Sequence, residues 1–171
     1  MKKKSGFTVV ELLIVLLLLG VIVVLTLRVG DSVTANSRIT GLINNFLADY
    51  SSAKLIASSE NRYVAIIFAG DGRSYTLQKQ TLIGDLNNWT LIKTVTPLSD
   101  RSCFDSGAVS DFAINSTGEV RLWPVTTPLT TPSNVSLVFY IRKGMGSPSD
   151  EIAYQRTIKI FPYGGLKVEK N

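Results

Sequence analysis

After Met1 the chain begins Lys2-Lys3-Lys4-Ser5-Gly6-Phe7-Thr8-Val9-Val10-Glu11 and runs straight into the apolar stretch Leu12–Leu27, and this segment decides the architecture. Thirteen of the fourteen residues from Leu12 to Leu25 are Leu, Ile or Val. The 21 residues from Phe7 to Leu27 make about 31 Å of helix at about 1.5 Å per residue, the thickness of a bilayer's hydrocarbon core. Two plain readings fit. One is a cleaved secretory signal, with Val33-Thr34-Ala35 as its small-residue exit. The other is a simple signal anchor. Neither accounts for Glu11. A carboxylate opposes insertion by up to ~2.5–3.5 kcal/mol at mid-membrane. The branched aliphatics, at about −0.3 to −0.6 kcal/mol each, outweigh it, so insertion tolerates Glu11 without explaining it. An ionisable group in such a segment marks a functional site that needs a partner.

Lys4-Ser5-Gly6-Phe7-Thr8-Val9-Val10-Glu11-Leu12 resembles the processing site of type IV prepilins. That family's pattern is a short basic leader ending in Gly, then Phe, Ser or Thr, two apolar residues and Glu. The resemblance implies cleavage after Gly6 by a prepilin peptidase that also acts as N-methyltransferase, and methylation of the new N-terminal Phe7. It implies that Glu11 pairs with the N-terminal amine of a neighbouring subunit, removing an uncompensated charge and setting the axial register. The partners so implied are other pilins or pseudopilins and the bacterial inner membrane. Lys2, Lys3 and Lys4 favour the cytoplasmic side, which gives a single pass, N-in and C-out, with an extracytoplasmic C-terminal domain.

At 171 residues the chain suits one modest domain plus this appendage. The formal charge is +5, from 18 Lys and Arg against 13 Asp and Glu; without Lys2–Lys4 it is 15 against 13, or +2. Bulk charge therefore gives little support for a nucleic-acid binder, although it leaves room for a local patch. The single cysteine, Cys103, cannot form an intrachain disulfide and reads as a small buried hydrophobe. The chain has no histidine, which excludes a Ser-His-Asp triad, a Cys-His pair and a His-ligated zinc site within it. No metal or cofactor is expected. Asp100, Asp105, Asp111, Asp150 and Glu151 fall in expected loops without recognisable spacing, so no enzymatic activity is expected.

No proline precedes Pro97, so nothing stops the helix at the membrane edge. Val29, Val33, Ile39, Leu42, Ile43, Phe46, Tyr50, Ala53 and Ala57 recur mostly at three- and four-residue spacings. Asn36, Arg38, Asn44, Asn45, Asp49 and Lys54 are expected on the opposite, polar face. Beyond Ser58-Ser59-Glu60-Asn61 the period shifts towards two. Strands are expected at 63–68, 74–79, 89–95, 110–115, 119–123, 135–141, 156–161 and 166–169, with a hairpin at 69–73 and a turn at 115–118. Pro124, Pro128 and Pro132 mark one loop, and Gly144–Pro148 another. The expected fold is α+β: a long N-terminal helix packed on a mainly antiparallel sheet domain. Its parts are a leader at 1–6, a transmembrane and assembly helix at 7–28, an amphipathic half-helix at 29–60 and a β-rich domain at 61–171.

Within the pilin superfamily the C-terminal half resembles the GspH/FimT group of minor pilins and pseudopilins. Leu47–Ala57, Phe112–Gly118, and Arg156–Ile160 followed by Gly164–Val168 carry that resemblance, with Lys54 in place of the group's Arg. Arg28 stands where major pilins often have proline, which also favours a minor subunit. The implied function is structural: assembly, at the tip or in priming, of a type II secretion pseudopilus or a type IV pilus. The alternative is DNA capture in natural transformation, with Arg142, Lys143, Arg156, Lys159, Lys167 and Lys170 as candidate phosphate contacts. Gly165-Leu166-Lys167-Val168 departs from the Gly-Arg-x-Arg element of the group's DNA-binding members, and Glu169 sits between two of the lysines.

Overall fold

The computed structural model describes residues 8–96, 102–104, 111–124, 134–142 and 152–170; within them, the side chains of 24–34, 102, 142 and 153 are not described. The chain forms two compact units, Met1–Asn36 and Ser37–Asn171, and each is taken by itself. The first element, α1, is assigned as helix from Val9 to Glu60. Its C-terminus is closed by Asn61 in the left-handed conformation (φ 51°), with the Arg62 amide donating to the Ala57 carbonyl at 3.1 Å. This bond reaches back across the last turn and satisfies a carbonyl the helix would otherwise leave open.

In the first unit, Val9–Val23 exposes its side chains on every side of the helix. A helix apolar all round is stable only in lipid or among other helices. Among the described residues no helix is long and apolar enough to cross a membrane. Val9–Val23 alone falls short of the roughly 20 residues a span needs. The apolar sequence continues through Val24, Leu25 and Leu27, whose side chains lie outside the described set.

The second unit buries the expected helix stripe: Ile39, Leu42, Ile43, Phe46, Tyr50, Ala53 and Ala57. Each expected strand forms. β1 (Val64–Phe68), β2 (Tyr75–Gln80), β3 (Trp89–Val95), β5 (Phe112–Ile114) and β6 (Val120–Leu122) make a five-stranded sheet in the order β3-β2-β1-β5-β6. β4 (Ser102–Phe104), β7 (Val135–Arg142), β8 (Ile152–Ile160) and β9 (Leu166–Lys170) make a four-stranded sheet in the order β4-β7-β8-β9. Every pairing is antiparallel. The α+β architecture is therefore the expected one, divided between two sheets.

An aromatic cluster joins the three layers. The Phe46 ring on α1 lies 5.7 Å from Tyr75 of the first sheet and 5.3 Å from Phe139 of the second. Phe104 closes the circuit, 5.5 Å from Phe68 and 5.2 Å from Phe139. Such tilted and edge-to-face pairs add about 0.5–1.5 kcal/mol each to the burial term. β4, which periodicity did not show, exists to deliver Phe104 to this cluster. Three residues are too few for an alternation to be visible. Cys103, beside it, is buried as expected, a free thiol.

The far face of the five-stranded sheet is also closed. Trp89, at the start of one edge strand, and Trp123, just beyond the opposite edge strand, meet edge-to-face at 4.3 Å. They and Leu86 pack with Tyr63 and Ile67 over Ala65 and Ala113, which are fully buried. Alanines at these central positions leave the room the indoles need.

Two polar assignments on α1 are corrected. Asp49, expected on the solvated face, is buried at 8% exposure. It accepts from the Tyr75 hydroxyl at 2.7 Å and from Lys93 Nζ at 2.7 Å, so its charge is compensated rather than hydrated. Lys54, expected beside it, is half-buried and donates to the Gly164 carbonyl at 3.3 Å. The expected loops around Pro128, Pro132 and Gly144–Pro148 lie outside the described residues.

Candidate functional site

Gly6 and Phe7, the expected cleavage and methylation positions, lie outside the described residues; the site is visible from Thr8 onward. Thr8 is the N-cap of α1. Its carbonyl accepts the first helical bond from the Leu12 amide at 3.2 Å. Its hydroxyl accepts from the Glu11 amide at 3.3 Å, while Glu11 Oε2 accepts from both the Thr8 amide and the Thr8 hydroxyl at 3.0 Å. This is a reciprocal capping box, and Thr-x-x-Glu before an apolar run is its sequence signature. Charge alone drew attention to Glu11, so its local role went unread. Glu11 thus has an intrachain job, which uses Oε2; among the described residues Oε1 has no partner. Oε2 fixes the first turn of the helix.

The candidate DNA contacts divide. Lys159 and Lys167 are register partners on β8 and β9, on one face of the four-stranded sheet. Both reach Glu169, Lys159 at 2.8 Å and Lys167 at 3.0 Å. Lys159 first and Lys167 second hold the Glu169 carboxyl below its ordinary range. Arg156 and Lys170 are also register partners, but strand alternation puts them on the other face. The Arg142 side chain and Lys143 lie outside the described residues. No continuous basic surface is assembled from the described candidates. Of the candidate carboxylates, only Asp111 is described. It accepts from the Phe68 amide at 2.8 Å, a structural bond that ends β1. Among the described residues no cluster could hold a metal ion.

Three parts of the second unit converge on Gly164. Its carbonyl accepts from the Tyr50 hydroxyl at 3.2 Å as well as from Lys54. A Cβ there would lie 2.4 Å from the Gly118 carbonyl oxygen, and φ is +75°, so only glycine fits. Here α1 holds a turn of each sheet against the other.

Burial pushes the Tyr50 hydroxyl up to about 12, and burial together with the Asp49 carboxylate pushes Tyr75 up further. A phenol whose folded pKa is raised stabilises the fold fully below its unfolded value near 10, and that contribution is lost as pH rises through the folded value. The fold should therefore hold to about pH 10 and weaken steadily towards pH 12. Phenolate absorbance followed with near-ultraviolet circular dichroism checks this. Full titration of all six tyrosines near pH 10 with the fold intact would contradict it.

Residues 1–27 match the family model of the prokaryotic N-terminal methylation motif. No curated protein matches the chain in sequence. Solved structures share its fold, among them a minor pseudopilin and a minor pilin. The minor pseudopilin EpsH from the type 2 secretion system of Vibrio cholerae matches with a TM-score of 0.53 at 14% identity, over 78% of this chain and 97% of that one. The type IV minor pilin FimU of Pseudomonas aeruginosa matches with a TM-score of 0.52 at 14% identity, over 78% and 90% respectively.

Proposed function

We propose that this type IV pilin-like chain is a minor pilin or pseudopilin, a structural subunit that takes part in assembling a type II secretion pseudopilus or a type IV pilus, at the tip or in priming. The observation that carries the reading is a conjunction. A prokaryotic N-terminal methylation motif at residues 1–27 precedes a helix-on-sheet domain folded like a minor pseudopilin and a minor pilin. In this reading a prepilin peptidase removes residues 1–6 and methylates Phe7. The apolar helix anchors the subunit in the inner membrane, N-in and C-out, and later packs against neighbouring subunits. The apolar side chains of Val9–Val23, exposed all round the helix, support this, since such a surface needs lipid or other helices around it. The subunit contributes shape and contacts rather than chemistry of its own.

DNA capture draws less support. Glu169 compensates Lys159 and Lys167, and the other described candidates face the opposite way.

Co-expression with a prepilin peptidase is the test. Intact-mass spectrometry should show a chain shortened by Met1–Gly6 and carrying one methyl group on Phe7. Gly6→Leu should retain the full-length mass while still fractionating with membranes. A mature chain beginning beyond the apolar run, for instance at Asn36, would refute the reading.

A further inference from the structure

We draw no further inference here: the strongest candidate, the exposed apolar patch of Leu82 and Ile83 in the loop between β2 and β3, beside the C-terminal end of α1, is an unpartnered surface, and nothing in the structure shows what covers it.

Discussion

Phe46→Ala should lower the stability of the second unit by about 3–5 kcal/mol, a large share of the roughly 5–15 kcal/mol a domain has to lose. Phe46 is fully buried, and its ring meets Tyr50 and three rings from both sheets: Phe68 at 6.3 Å, Tyr75 at 5.7 Å and Phe139 at 5.3 Å. Truncation removes a side chain that touches every layer of this unit. Its neighbours are poorly placed to close the void, because the Tyr75 hydroxyl is tied to Asp49 and Phe139 is in the middle of a paired strand. Urea unfolding of the full chain in micelles, read by tryptophan fluorescence, reports this unit alone, since both tryptophans, Trp89 and Trp123, lie in it. Leu55→Ala, on the same helix but 68% exposed, is the control and should shift stability by no more than about 0.5 kcal/mol. Equal midpoints for the two variants would show that Phe46 is not the keystone described.

Phe46 could be anticipated from the chain alone because helix spacing is a local property: the stripe from Ile39 to Ala57 repeats at three and four residues whatever it packs on. The strands other than β4 were legible for the same reason. What periodicity cannot carry is which strand joins which sheet. β1 pairs with β5 across a long intervening segment, while β4 leaves for the second sheet, where Phe104 meets Phe139 and Phe139 meets Phe46, contacts between residues far apart in the chain. Asp49 was misplaced because a carboxylate on a helix is solvated by default; its partners, Tyr75 and Lys93, arrive from distant strands. Gly164 fell between the expected strands at 156–161 and 166–169, yet its necessity arises only when the turn at 115–118 brings the Gly118 carbonyl against it. The capping box is different. Thr8-Val9-Val10-Glu11 was readable, and was missed because the acid was interpreted through the membrane alone.

If Glu11 makes the proposed assembly contact as well as the cap, it is the position where function can be separated from folding. Glutamine keeps the cap, since an amide oxygen at this position accepts the same bonds from Thr8, but it loses the charge. Valine loses both. Thr8→Ala keeps the charge and weakens the cap, by about 1 kcal/mol. If assembly depends on pairing the carboxylate with a neighbour's N-terminal amine, removing one partner of a desolvated pair costs about 3–5 kcal/mol, or more than about a hundredfold in incorporation. Glu11→Gln and Glu11→Val should then both remain in the membrane fraction and disappear from sheared filaments, while Thr8→Ala assembles at a reduced level. The expected order follows from electrostatics, because only the charge distinguishes Gln from Glu at this site. Filaments that incorporate Glu11→Gln as well as the unaltered chain would reduce Glu11 to a helix cap and remove the intersubunit contact from the account.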